Sequence, residues 1–355
     1  MSDIALKING VKYRGWKSFT ARSSVQMISD SFEATLTEAW AGNDTGWPIS
    51  PDDAFDLLID DALVMSGYVD EFNVAYDKNS HLIKIKGRSK LRDLIDSSGI
   101  HAPFINQTFV QLATFCCDLF GLKVVVDASV TDIDAAFAKA TIEVGETYIE
   151  FLKKLADERG VILTDTPEGD LLITRAGTEV APTALVLGKN IISANATNSV
   201  RDRFYKYMVV GQGEVSYLDD PDDESVQVDA VVLDEDVRKA RTKVIDPDDS
   251  VTLGDVERYG LRERNDRFGE SQPITYVVSG FRHKTGLWRP NTLVDIDDSR
   301  SRIKGKRLIV SVEYSRNKKS TTSITVMPKE ALDIVPLPRK IDDDVYVPPL
   351  PVSTS

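Results

Sequence analysis

The stretch from Gly67 to Asp96 constrains this chain most, because its hydrophobic period changes within it. Phe72, Val74 and Tyr76 alternate with Asn73, Ala75 and Asp77, and His81, Ile83 and Ile85 alternate with Leu82, Lys84 and Lys86. A period of two marks half-buried strands. Between them, Asp77-Lys78-Asn79-Ser80 is turn chemistry, since short polar side chains bond their own backbone. Gly87-Arg88-Ser89 stops the second strand. Leu91, Leu94 and Ile95 then follow at helical spacing. A strand that runs straight into a helix is a domain junction, and Arg88 and Asp93 are expected to fix this corner by hydrogen bonds or an ion pair.

Residues 1–88 read as all-β. Ile4, Leu6 and Ile8 alternate up to Asn9-Gly10, a strong hairpin signal. Further short strands follow at Ser31 to Thr37, at Phe55 to Ile59 and from Leu63 into Gly67-Tyr68-Val69-Asp70. Many short strands with tight turns predict a small barrel or sandwich. Residues 89–182 change character. Phe109, Leu112, Cys116 and Leu119 share one helical face. Thr147 with Glu150 forms a capping box ahead of the stripe Ile149, Leu152, Leu155 and Ala156, and Gly160 is the expected stop. A hairpin around Pro167-Glu-Gly169 closes this α+β insert. Residues 183–327 return to β, with a polar helix over about 255–268, and read as a second barrel. Gly211-Gln-Gly213 reads as a turn. The Pro-rich stretch 328–355 is either a mobile tail or an arm that orders on a partner. The predicted class is therefore β-rich α+β: two small β-barrel domains with an intervening α+β domain.

Composition narrows the function classes. The chain has 355 residues, 42% hydrophobic and 28% charged, an ordinary globular balance. No apolar run is long enough to span a bilayer, so stable membrane insertion is not expected. The first residues lack the basic start and apolar core of a secretory signal, which points to synthesis in the cytosol. A net charge of −13 repels phosphate backbones and argues against general nucleic-acid binding. It suits a channel through which DNA slides without specific binding.

Catalytic constellations do not emerge. The cysteines, Cys116 and Cys117, are adjacent and read as helix-face residues, with Cys116 in the core. His81, His101 and His283 have no second ligand at metal-binding spacing. There is no nucleophile elbow, P-loop or dinucleotide fingerprint. The acids cluster in turns such as Asp52-Asp53 and Asp60-Asp61, where solvated carboxyls are not tuned for acid–base work. No catalytic residue, metal or cofactor is expected. The basic run Arg300, Arg302, Lys304, Lys306 and Arg307 is either a set of protected strand edges or a contact strip for an acidic neighbour.

Several stretches occur together in order: Trp47-Pro-Ile-Ser-Pro-Asp52, Gly67-Tyr-Val-Asp70, Gly87 to Ser98, Gly145-Glu-Thr147, Gly188 to Ile191, Arg203 to Gln212 and Gly286 to Val294. This series resembles the central baseplate hub of Mu-like phages and prophages, a contractile-tail component. The resemblance covers roughly residues 5–327. It implies a fold similar to the T-even phage hub and to the N-terminal part of type VI secretion spike proteins. It also implies a homotrimer whose barrels form a ring between the six-fold tail tube and a three-fold membrane-piercing spike. The partners implied are the trimeric spike, the tube and other baseplate proteins. The location implied is the virion tail, assembled in the bacterial host cytoplasm. The alternative is a tail-associated peptidoglycan-binding module or hydrolase, suggested by the threonine-capped helix after Val144, which resembles LysM-like domains. Gly67, Tyr68, Asp70, Gly87, Arg88, Asp93, Trp288 and Asn291 are the expected corner or assembly residues. Trp288, in a turn, is either a cap over a barrel mouth or an interface anchor.

Overall fold

The computed structural model describes residues 3–37, 48–77, 81–212, 227–246 and 253–332. Trp47, residues 78–80 of the expected turn, the acidic run 219–224 and the Pro-rich stretch from 333 onward lie outside these. The described parts of 1–203 and 265–336 form one compact unit, and 204–264 belongs to a second.

In the first unit the chain begins with seven strands: β1 (Ile4–Ile8), β2 (Val11–Tyr13), β3 (Ser18–Ser24), β4 (Ser31–Thr37), β5 (Ala54–Ile59), β6 (Ala62–Tyr76) and β7 (His81–Ser89). Asn9 and Gly10 both take positive φ in the β1–β2 turn, as a two-residue hairpin requires. The long β6–β7 pairing runs from Tyr76↔His81 to Gly67↔Ser89, with a bulge between Val69 and Glu71 that bends the strand. Gly67 is required there. A Cβ on it would lie 1.9 Å from the Arg88 carbonyl oxygen, inside any allowed contact.

The insert follows as α1 (Arg92–Asp96), β8 (Ala102–Gln107), α2 (Phe109–Asp118), β9 (Val124–Val126), β10 (Phe137–Ile142), α3 (Tyr148–Arg159), β11 (Ile162–Asp165) and β12 (Leu171–Thr174). Its core is the contact of α2 and α3 with the two small sheets, β8–β10 and β11–β12–β9. Both long helices start on capping boxes. Thr108 and Gln111 cap α2, Thr147 and Glu150 cap α3, and Gly160 ends α3 in the left-handed conformation. Cys116 and Cys117 are both buried in this core, and burial pushes their thiols up to about 12. Leu119 does not share their face. It is the residue that ends α2, and it is 53% exposed.

The chain then adds β13 (Leu185–Val186) and β14 (Ile191–Ala196) before entering the second unit. There β15 (Lys206–Gln212) pairs antiparallel with β16 (Gln227–Leu233) and parallel with β17 (Thr242–Ile245). Gly211 and Gln212 continue β15 rather than turning, because they pair with Val228 and Gln227. Helix α4 (Leu253–Glu270) packs Val256 on Val209 within this unit, and its last residues belong to the first unit. Arg201, Arg203, Tyr205, Tyr207 and Val209 alternate with Phe204, Met208 and Val210, which predicts a strand from Arg201, but β15 begins only at Lys206. Arg203 is instead buried, with its guanidinium over the Phe268 ring at 4.9 Å.

Four strands complete the first unit: β18 (Ile274–Ser279), β19 (Thr292–Asp298), β20 (Ile303–Arg316) and β21 (Ser320–Met327). The fourteen residues of β20 serve three partners. Its first half pairs with β19, and its second half lies between β21 and β3. The β3–β20 pairing joins the two β-regions into one 13-stranded sheet. The protein is thus β-rich α+β, as the pattern predicts. Its described strands run as an open path from β14 to β2 rather than a closed ring. One core serves both β-regions, with Phe19, Phe55, Tyr276, Phe281, Trp288 and Tyr314 all buried in it.

Gly67→Ala is expected to lose about 1–3 kcal/mol of stability through forced backbone displacement. Urea unfolding measures this, and an unchanged midpoint would contradict the close approach.

Candidate functional site: the corner between the first sheet region and the insert

Gly67, Tyr68, Asp70, Gly87, Arg88 and Asp93 come together where β7 hands the chain to α1. Gly67 and Gly87 allow β6 and β7 to approach. Space at Gly87 is closed by the Phe32 and Phe55 rings and the Tyr68 carbonyl. Asp70 takes two arginines. Arg88 Nε donates to it at 2.7 Å and Arg92 Nη1 at 2.6 Å. Arg88 also donates to Asp96 at 2.6 Å, and Arg92 also pairs with Asp52. The Arg92 guanidinium stands 5.0 Å over the Tyr68 ring. The geometry is Asp52–Arg92–Asp70–Arg88–Asp96, a charge-alternating chain that spans β6, β7, α1 and the loop before β5. Asp93 is not a partner of Arg88; its carboxylate meets Arg92 Nε at 3.4 Å. Asp96, at the end of α1 and three residues on from Asp93, is the residue that meets the Arg88 fork. Arg92, Asp96 and Asp52 were missed in the sequence, although Arg92 and Asp96 flank the helical stripe and Asp52 ends one of the quoted motifs.

The other side of the corner is carboxylic. Asp30, before β4, is buried, and its backbone N–H donates to Asp165 Oδ2 of β11 at 3.1 Å. Ser29 and Ser89 meet hydroxyl to hydroxyl at 3.0 Å, and Ser89 N–H donates to the Asp30 carbonyl at 2.9 Å. Burial, then the neighbouring Asp165 charge, raises Asp30 well above the usual carboxylate range, against hydrogen bonds from Ser23 and Ser24 and the Arg289 charge. Burial likewise pushes Asp165 up to about 6. Two carboxyls this close in a largely buried site favour sharing a proton over both ionising. The insert's β11–β12 hairpin is tied down next to them, with Lys90 Nζ donating to the Glu168 carbonyl at 2.7 Å.

Trp288 and Asn291 lie elsewhere. Trp288 is 2% exposed in the shared core, where its carbonyl accepts the Tyr314 hydroxyl and its ring meets His283 edge-on at 5.0 Å. Asn291 holds the end of the insert. Its Oδ1 accepts from Gly177 N–H at 2.8 Å, and its Nδ2 donates to the Arg175 carbonyl at 2.9 Å. Its φ of 59° is a conformation asparagine tolerates.

Chemically, the corner is a clamp. Its arginines are spent on carboxylates, and its acid pair is held by hydrogen bonds from Ser24 and Asp30 main-chain N–H groups. A half-open cleft of about 410 Å³ beside it is lined by Arg22, Glu33, Glu71 and Lys86, which already form ion pairs with protein groups. Among the described residues, no group of three or more His, Cys, Asp or Glu side chains is placed to hold a metal. No described helix is long and apolar enough to cross a membrane.

Comparison with known proteins gives this clamp its context. Residues 3–89 match the N-terminal domain of Mu phage baseplate assembly protein GpP-like proteins, and residues 257–335 match the fourth domain of GpP. Residues 92–175 match the second domain of gp44-like baseplate hub proteins. The baseplate hub protein gp44 of Escherichia phage Mu is 31% identical over 314 residues, 87% of this chain and 82% of that protein. The chain belongs to the Mu-like baseplate hub family. This hub is a phage or prophage tail structural protein. Its fold is shared with the 43 kDa tail protein of prophage MuSo2 from Shewanella oneidensis, at a TM-score of 0.84 and 32% identity over 94% of this chain and all of that one. An E. coli type VI secretion component, described as structurally similar to the T4 tail proteins gp27 and gp5, shares the fold at a TM-score of 0.57 and 13% identity over 91% of the hub and 76% of that chain.

Two outcomes follow for the hub's corner. Asp70→Ala leaves two arginines without their shared acceptor. It is expected to cost about 2 kcal/mol, since hydrogen bonds to charged groups are strong and this one is partly screened by solvent. Asp93→Ala is expected to cost under about 0.5 kcal/mol by the same unfolding measurement. For the acid pair, the folded state holds protons that the unfolded chain releases near pH 4. Stability therefore falls as pH rises from about 4 through about 6 and stays reduced above that range. Asp30→Asn is expected to flatten this slope and to gain about 1–2 kcal/mol at pH 8. A melting series from pH 4 to 8 reads both effects.

Proposed function

We propose that this hub acts as a homotrimer whose ring adapts the six-fold tail tube to a three-fold spike. The observation that carries the reading is the β3–β20 pairing, which makes two β-regions of one chain into a single continuous sheet. Three chains around an axis would then supply six β-regions to the tube and three identical units to the spike. The hub family supports partners in the tail: the trimeric spike, the tube and other baseplate proteins. The role is structural and not enzymatic, and assembly takes place in the host cytoplasm. The net charge of −13 suits a lumen that lets DNA pass without binding it. In this reading, residues 1–88 and 183–327 are the ring-forming parts and 89–182 is the outer insert. The clamp at Asp70, Arg88 and Arg92, together with Asn291, holds the angle between them, and Trp288 caps the core.

Light scattering of the purified hub, alone and with its spike, tests the reading. A mass of three chains is expected, with a ring in negative-stain images. A monomer at micromolar concentration under both conditions would overturn it. Arg88→Ala/Asp70→Ala is expected to lower the trimer fraction while leaving secondary structure in place.

A further inference from the structure

The Asp30–Asp165 contact joins two separately built parts of the first unit. Asp30 belongs to the loop between β3 and β4, and Asp165 ends β11 of the insert. Asp30 is 6% exposed; its carboxyl accepts from Ser24 N–H at 3.3 Å, and its own N–H reaches Asp165 Oδ2. The groups that face the pair come from five places. From β3, the Ser23 hydroxyl bonds Asp30, and from the end of β7, the Ser89 hydroxyl bonds Asp165. Lys90, next in the chain, is turned to the Glu168 carbonyl. Arg289, before β19, acts on Asp30 as a cation while its Nη2 is held by the Leu63 carbonyl. Tyr314 of β20 also feels Asp30, and burial raises its hydroxyl so that it stays neutral. One guanidinium can balance one carboxylate. With both acids ionised, one buried charge is left uncompensated beside another of the same sign.

The two sides of the corner therefore respond differently to protons. The clamp pairs arginines, which keep their charge, with carboxylates, and the bond from Arg88 lowers Asp96 below its usual range. It holds across the neutral range. On the acid side, the β11–β12 hairpin belongs to the insert through Leu163, Leu171 and Ile173, which are buried in the insert core. Its turn meets the sheet region at Gly169, where a Cβ would lie 2.6 Å from the Ser66 carbonyl oxygen, and at Lys90. The other end of the seam is fastened by apolar and neutral groups. Ile162 packs with Val25, Leu308 and Val310, and Asn291 holds Arg175 and Gly177. The pair is thus the part of this seam that titrates near neutrality, and it lies at the partly exposed Asp165 end.

We propose that the Asp30–Asp165 pair is a proton-operated latch between the insert and the sheet region, closed while the two carboxyls share a proton and opened at the Asp165 end of β11 when both ionise, with the arginine clamp as the pivot. Opening releases the shared proton to solvent and leaves Asp30 facing Arg289. The insert keeps its own core, so the change is a local opening rather than unfolding. The latch stands independently of the trimer reading. Hydrogen exchange of the full chain at pH 5 and pH 8, corrected for the intrinsic pH dependence of amide exchange, tests it. Protection at residues 28–30 and 165–170 is expected to fall by about tenfold or more between the two, while α3 and the β6 residues 68–74 keep theirs. Asp165→Asn removes one of the two charges and is expected to abolish the fall. Should that variant misfold, Asp30→Asn is judged by the same measurement. Wild-type protection that stays flat, or that falls equally in every segment, overturns the latch. So does a fall that persists in a folded asparagine variant.

Discussion

Pairing of β3 with β20 brings together residues almost three hundred positions apart, from Phe19↔Arg316 to Ser24↔Ser311. Around it sit the largest buried side chains of the molecule. Tyr314 donates to the Trp288 carbonyl and meets Phe281 edge-on at 5.8 Å, while Phe19 closes the same core from the other strand. Fully burying one such side chain is worth about 1.5–3 kcal/mol, so a handful outweighs the closure of a very long loop. That closure grows only logarithmically with length. The fold can therefore carry the insert and the second unit between the two halves of its sheet. Arg289 adds a polar tie, donating to the Leu63 carbonyl at 2.9 Å across the same join.

The corner clamp solves a different problem. A helical insert leaving the end of a strand has a free hinge unless something fixes the exit angle. The two arginines and their carboxylates do so from one side, and the Asp30–Asp165 contact does so from the other. The acid pair costs stability at neutral pH, because burial penalises the charge it would otherwise carry. Its partners are specific hydrogen bonds from serine and backbone groups, so what it supplies is a defined seat for β11. The polar clusters of the corner are closed networks of protein groups, and the Cys116 and Cys117 thiols are buried.

Strand and helix segments with strict periods were legible in the sequence, including β6, β7, α2 and α3 with the cap of α3, because local patterning dictates them; the Thr108–Gln111 cap of α2 was not read there. Elements such as β8, β10, β14 and β19 were not picked out. β8 carries a proline and an asparagine at positive φ, and β14 is nearly all small residues, so neither shows an alternating stripe. The corner was legible in its backbone and only partly in its charges. Gly67, Gly87, Arg88 and Asp70 stood at the period change. The choice between Asp93 and Asp96 depended on how a five-residue helix turns its side chains. Asp30 and Asp165 are 135 positions apart, and no local pattern links them.

By itself, then, the sequence determined the alternation of β and helical regions, the junction at Gly67–Asp96, the absence of recognised catalytic motifs and the resemblance to tail hubs. These follow from spacing, turn chemistry and ordered motifs, all local along the chain. Only the tertiary structure decided that the two β-regions share one sheet and one core, that Arg88 answers to Asp70 and Asp96, and that two carboxyls meet under the insert. Those outcomes depend on which distant strands pair and in what register, and main-chain pairing carries no mark in the residues that make it.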